Sequence, residues 1–301
     1  MIKFNKFLGL LTRKRKKYCI IGNYYPQDGL FSMYKHTIAH VIQSLEKGYI
    51  PVVDMRSYYN QYFKDGRQYK DNPWRYFFEQ PCGIEPSEIK ENDEVIIASG
   101  GAEKKYQFWN RHLPLSKEDT RAHPYLAEFH KYMKFTPEIN HYLQKKYAKT
   151  FNGETNVLGI IVRGSDFVET KPKGHAIQPT AEMVIEKINE LLPILKFKKI
   201  YLATEDKTIY AKIKWVFGDM LIENCQYKYS TVGGKLIYQT KVERKDHFYH
   251  LAKEYLLSVY FLSKCKYLIG GRANGAIATL FMTNGFKSYD YVYLWDLGDY
   301  A

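Results

Sequence analysis

Apolar residues along this chain fall into two alternating rhythms. Short unbroken runs, among them Tyr18-Cys19-Ile20-Ile21, Ile50-Pro51-Val52-Val53, Val95-Ile96-Ile97-Ala98, Ile160-Ile161-Val162, Ile200-Tyr201-Leu202-Ala203 and Tyr267-Leu268-Ile269, predict short strands, and the run ending at Arg163 reads as a buried strand of a parallel sheet. Between them, apolar residues recur every three to four positions. Leu30, Tyr34, Ile38, Val41, Ile42 and Leu45 form one helical face, closed by Gly48 as a C′ glycine. Thr180 caps a second helix through Met183, Val184, Ile188, Leu191 and Leu192, with Glu182 in its first turn. Leu251, Tyr255, Leu256, Val259 and Leu262 give a third, and residues 122–148 read as helical and polar. Strand and helix in alternation imply an α/β fold, a doubly wound parallel sheet with right-handed crossovers.

The chain's 301 residues accommodate two such units. A polar stretch at 148–155 places the boundary, so residues 18–150 and 151–301 are expected to form two Rossmann-like domains facing across a cleft. The strand from Tyr289 to Tyr293 is a candidate to return to the first domain. Asp28 precedes the first helix and reads foremost as a cap, and His36 as a plain surface histidine.

Charge singles out the first residues. Of a net +13, seven positive charges (Lys3, Lys6, Arg13, Lys14, Arg15, Lys16, Lys17) lie in residues 1–17, which hold no acid. Phe4, Phe7, Leu8 and Leu11 share one helical face there, so the arm is expected to lie on an anionic membrane surface. A disordered basic tail and a helix packed on the body are the competing structural readings. Nucleic acid is not the expected partner, because no helix-turn-helix, RNP or zinc-finger spacing occurs. No apolar stretch approaches the roughly 20 residues needed to span a bilayer, and no signal peptide is visible. Four scattered cysteines without C-x-x-C spacing point to neither a zinc site nor a disulfide framework. The expected setting is cytoplasmic, peripheral to the inner face of the membrane.

The candidate chemistry clusters at strand ends, where open α/β sheets bind ligands. Arg163 offers a planar fork to a diphosphate, or a structural ion pair to Asp166. Glu205 and Asp206 end the next strand; they would accept hydrogen bonds from a ribose, a sugar or a guanine edge, although Asp206 also suits a helix N-cap. Gly270-Gly271-Arg272-Ala273-Asn274-Gly275 reads as a phosphate cradle running into a helix, or as a tight strand-to-helix turn. Arg272 would close a clamp with Arg163. No D-x-D pair occurs anywhere, so a diphosphate here would be neutralised by arginine and helix dipole, with no metal. Trp74, Tyr76 and Phe78 form an aromatic cluster suited to core packing or, alternatively, to stacking on sugars.

Three of these stretches, in order, resemble the motifs of the α-1,2-, α-1,6- and protein O-fucosyltransferases. Ile161-Val162-Arg163-Gly164-Ser165-Asp166 is similar to their His-x-Arg-Arg-Gly/Thr-Asp motif, with Ile161 at the histidine and Gly164 at the second arginine. Tyr201 to Asp206 resembles their second motif, and Leu256 to Ala278 their third. Gly29-Leu30-Phe31 and Val52-Val53-Asp54 look like the opening of the same superfamily. The resemblance implies a GT-B architecture and an inverting, metal-independent transfer from GDP-fucose to a polysaccharide, glycan or lipid-linked acceptor. No cofactor beyond that donor is implied. On this reading residues 18–150 are the acceptor side. Arg163 stabilises the departing diphosphate, and Asp166, Glu205, Asp206, Arg272, Ala273, Asn274 and Gly275 hold the donor. Asp28 or Asp54 supplies the acceptor's base. The alternative is a non-catalytic nucleotide- or glycan-binding module with a degenerate cleft.

Overall fold

The computed structural model describes residues 15–22, 27–57, 59–106, 131–132, 134–223, 226–230, 233–240, 242–283 and 285–301. The amphipathic arm face at Phe4, Phe7, Leu8 and Leu11 lies outside these residues. Lys17, assigned to that arm from its charge, belongs instead to the first strand and pairs with Glu94 at 3.2 Å. No helix among the described residues is long and apolar enough to cross a membrane.

The chain opens with β1 (Lys17–Ile21), α1 (Leu30–Glu46), β2 (Ile50–Val53) and β3 (Glu94–Ile97). Their three strands pair in parallel in the order β2-β1-β3. Helix α1 buries the face read from its periodicity, Leu30, Tyr34, Ile38, Val41 and Ile42 among it. Gly48 beyond its end takes φ +78°, a conformation that costs glycine little. The aromatic cluster resolves as core: Trp74 and Phe78 are fully buried, and the Trp74 ring stacks on Tyr34 at 5.9 Å. Neither is accessible for stacking on sugars.

Helix α2 (Pro137–Phe151) carries the chain onward. It ends at Asn152 in the left-handed region, whose N–H bonds to the Ala148 carbonyl, so the expected polar boundary is a tight helix cap. There follow β4 (Val157–Ile161), α3 (Ser165–Thr170), α4 (Ala181–Leu195), β5 (Lys199–Ala203), α5 (Lys207–Phe217), β6 (Leu221–Ile222), α6 (His247–Leu262), β7 (Tyr267–Gly271), α7 (Asn274–Phe281) and β8 (Tyr291–Trp295). Thr180 caps α4 as its sequence indicates, accepting from Met183 N. The five strands are parallel in the order β6-β5-β4-β7-β8.

Strand β8 corrects the expectation that the last strand returns to the first sheet. It pairs with β7 from Tyr267↔Tyr291 to Gly271↔Trp295, and Trp295 packs into the second sheet's own core.

Alternation along β4 divides the packing. Leu158, Ile160 and Val162 join Val184, Ile188, Ile209 and Ile213 of α4 and α5 on one side. Val157 and Ile161 join Leu256, Val259 and Leu262 of α6 and Ala276, Ile277 and Leu280 of α7 on the other. That second cluster runs on without a break into Ile21, Tyr34 and Ile38.

The strand order has one topological consequence. From β4 the chain steps outward to β5 and β6, then returns to build β7 and β8 on the other side. The connections therefore diverge between β4 and β7. Beyond the carboxyl ends of these two strands a crevice must open, and ligands of such sheets bind there.

Candidate functional site

A cavity of about 790 Å³ opens at that point. Its walls include Arg163 after β4, Glu205 after β5 and Arg272, Ala273 and Asn274 after β7, together with Asp28, Lys35 and His36 from around α1. The clusters read from separate strand ends do converge.

Arg163 is the hub. Its Nη2 donates to both Asp166 oxygens at 2.9 and 3.1 Å, and its Nε lies 3.5 Å from Glu205 Oε1. The Phe167 ring lies 4.1 Å beneath the guanidinium. Burial opposes the charge on Arg163, but the carboxylates of Asp166 and Glu205 outweigh it and hold the guanidinium pKa above its ordinary value. Burial likewise raises the Glu205 carboxyl, against the opposing pull of Arg163. Glu205 Oε1 also accepts from Gly164 N at 3.1 Å, locking the turn after β4. The structural ion pair and an arginine lining the cavity thus coexist in one side chain. Two carboxylates orient the fork, and its side chain stays 27% exposed.

Asp206 does not join them. Its Oδ1 accepts from Thr208 N at 2.7 Å and Ile209 N at 2.8 Å, making it the N-cap of α5. Its carboxylate also fills the space where a side chain at position 164 would stand, which accounts for Gly164. Asp206 is absent from the cavity wall, so the donor role read for it gives way to capping.

Arg272 is held from outside, by Asp296 Oδ1 at 2.6 Å. Its backbone carbonyl accepts from Gln178 Nε2 at 3.1 Å. Ala273 is the N-cap of α7 and supplies no side-chain acceptor, and with Asn274 it puts the start of that helix at the cavity wall. Gly275 is required by packing, since a Cβ there would collide with Tyr255 Oη.

Asp28 and Asp54 part company. Asp28 lines the cavity; Gly29 is the α1 N-cap and no side chain caps that helix, so Asp28 is not a helix cap. Its Oδ2 accepts from Ser32 Oγ at 2.9 Å and lies 3.6 Å from His36 Nε2. Burial raises the Asp28 carboxyl, with Ser32 and Lys35 opposing. Burial, aided by Lys35, lowers the His36 imidazole to about 4. His36 is therefore a neutral cavity residue at pH 7, not a plain surface histidine. Asp54 lies in a separate hollow with Arg15, Arg56 and Glu94. Arg56 grips it at 2.9 and 2.7 Å; burial alone would raise its pKa, but those bonds hold it below the usual carboxylate value. The base role read for Asp54 has no support in this position.

Sequence reasoning missed Phe167, His175, Gln226 and Tyr255 as cavity residues. Tyr255 falls on the apolar period of α6, so its pattern signals core alone. His175 follows α3 on a loop without periodicity. The carboxyl tail fixes that loop, through Gly174 N to the Tyr300 carbonyl at 2.7 Å and Tyr300 N to the His175 carbonyl at 2.9 Å.

No family model matches the chain, and no curated protein does. Solved structures do. The fucosyltransferase NodZ from Bradyrhizobium superposes with a TM-score of 0.50 at 14% identity, over 89% of this chain and 93% of that one. A mutant of Arabidopsis thaliana FUT1 in complex with GDP superposes with a TM-score of 0.51 at 10% identity, over 89% of this chain and 68% of that one. The mixed α/β fold with its parallel sheets is thus fucosyltransferase-like.

Proposed function

We propose that this protein is a glycosyltransferase of GT-B type, its two Rossmann-like domains facing across the cavity. It takes a nucleoside-diphosphate sugar, GDP-fucose, and transfers the sugar with inversion to a glycan or lipid-linked acceptor. The observation that carries this reading is the pair of arginines at the divergent strand ends. Arg163 and Arg272 share one cavity with the first turn of α7, a setting matched to a diphosphate. Likeness to the GDP complex of FUT1 favours guanosine diphosphate.

In the transfer, the acceptor hydroxyl oxygen forms a bond to the sugar's anomeric carbon as the bond from that carbon to the diphosphate oxygen breaks. The electron pair departs on the diphosphate, where Arg163 and Arg272 offset the developing charge without a metal. The acceptor's proton passes to Asp28, which lines the same cavity and which burial makes a stronger base than an exposed carboxylate. Residues 1–17 would dock the enzyme on the anionic inner face of the membrane beside a lipid-linked acceptor; unaltered vesicle binding after their removal would reject this.

Calorimetry against GDP, UDP, CMP and ADP sugars tests the donor. Binding of GDP-fucose that Arg163→Ala abolishes, with turnover on a glycan acceptor, is expected. Absence of binding to any nucleotide sugar sinks the reading, and binding without turnover on any acceptor reduces the protein to a binding module.

A further inference from the structure

Helix α6 brings a polar group into the cavity under cover of an apolar pattern. The Tyr255 ring meets Phe31 of α1 edge-on, with centroids 5.3 Å apart, and so is braced from the neighbouring helix. Its hydroxyl reaches the start of α7, where a side chain at Gly275 would strike Tyr255 Oη and where the Gly275 N–H is placed to donate to it. That amide is one of the first-turn donors that a helix leaves without an internal partner. A phenol oxygen that accepts there turns its own proton away from the helix. Tyr255 lines the cavity together with Arg163 and Asn274.

We propose that Tyr255 is a diphosphate-binding residue, its Oη relaying the Gly275 amide and donating its own proton in a hydrogen bond to the phosphate oxygen that departs. The inference rests on the nucleotide-sugar reading of the same cavity. As the sugar–oxygen bond breaks, the electron pair settles on that phosphate oxygen. The Tyr255 proton stays on the phenol and its hydrogen bond strengthens. Burial holds the phenol at about 12, so it remains a donor throughout the physiological range.

The test is Tyr255→Phe, which keeps the ring and removes the hydroxyl. Affinities for GDP and for guanosine are measured by calorimetry alongside wild type, with thermal melting to confirm the fold. A hydrogen bond to a charged group predicts a roughly ten- to hundredfold loss of GDP affinity with guanosine affinity unchanged. Undiminished GDP affinity overturns the proposal, and so does an equal loss for both ligands, which marks a role in packing alone. Wild type that fails to bind GDP removes the parent reading as well, a result visible before the variant is examined. If Tyr255→Phe does not fold, site-specific 3-fluorotyrosine retains the shape and makes the hydroxyl more acidic; GDP affinity unaltered by that change also overturns the proposal.

Discussion

Arg163 Nε lies 3.5 Å from Glu205 Oε1, tying the carboxyl ends of adjacent strands β4 and β5 at the wall of the cavity. Removing this cation leaves Glu205 and Asp166 buried without their partner. Arg163→Ala should destabilise the protein by about 3 kcal/mol in urea unfolding at neutral pH. Glu205 already has a folded-state pKa above its unfolded value, so its contribution favours folding at low pH and is lost as pH rises through the folded value. Without Arg163 that value climbs further. The variant's melting temperature should therefore fall more steeply than wild type's as pH rises above the ordinary carboxylate range; parallel curves would refute the coupling.

The Asp28 carboxyl, raised by burial, gives kcat/KM an acid limb above the usual carboxylate range of about 4. Activity falls as pH drops through that limb, because the base becomes protonated. Asp28→Asn should lower kcat by about a hundredfold or more and erase the limb, while donor affinity holds. A retained limb in the variant would assign the titration elsewhere.

His36 contributes in the opposite sense to stability. Its folded pKa of about 4 lies below the ordinary histidine value, so the native state disfavours the cation. Stability is lost as pH falls below about 6.5. His36→Gln should flatten the melting-temperature profile across the acid range, and an unaltered profile would count against burial of the neutral ring.

Asp296 is two-thirds exposed, yet it holds the nearly buried Arg272 at 2.6 Å. An exposed partner of this kind contributes under about 1 kcal/mol to folding. Asp296→Asn should leave the melting temperature nearly unchanged but weaken GDP binding several-fold, as Arg272 loses its fixed orientation. Equal affinity would show that Arg272 is positioned by the Gln178 contact to its backbone instead.

Trp74 separates a core role from an acceptor role. Fully buried against Tyr34 and Phe78, Trp74→Ala should cost about 3–5 kcal/mol in unfolding experiments. The folded fraction should keep wild-type acceptor KM; a raised KM would restore the stacking reading.

Much of this molecule is legible in its residue order. The buried strands after Asn156, the caps at Thr180 and Asp206, the Gly48 terminus and the standing of Arg163, Glu205 and Arg272 at strand ends all follow from local rules of burial, capping and strand-end chemistry. Where those rules fail, the reason is specific. Trp74 and Phe78 look the same to a pattern whether they pack or recognise, because both uses need a large ring. Asp54 and Asp28 are both carboxylates beside elements of the first sheet, and an apolar pattern does not show that Arg56, two residues on, grips the one while the other is buried beside Ser32 and His36.

Residue order alone determines which segments are strands or helices and which polar groups stand at strand ends, since periodicity and capping act over one or two turns of chain. The order β6-β5-β4-β7-β8, the placing of β8 at that sheet's edge, and the meeting of Tyr255 with Gly275 were decided by tertiary packing. A crossover can lead to either side of a strand, and only burial of the helical faces against the sheet and against α1 selects one arrangement. The cavity is made by that selection: it lies where the chain changes direction between β4 and β7.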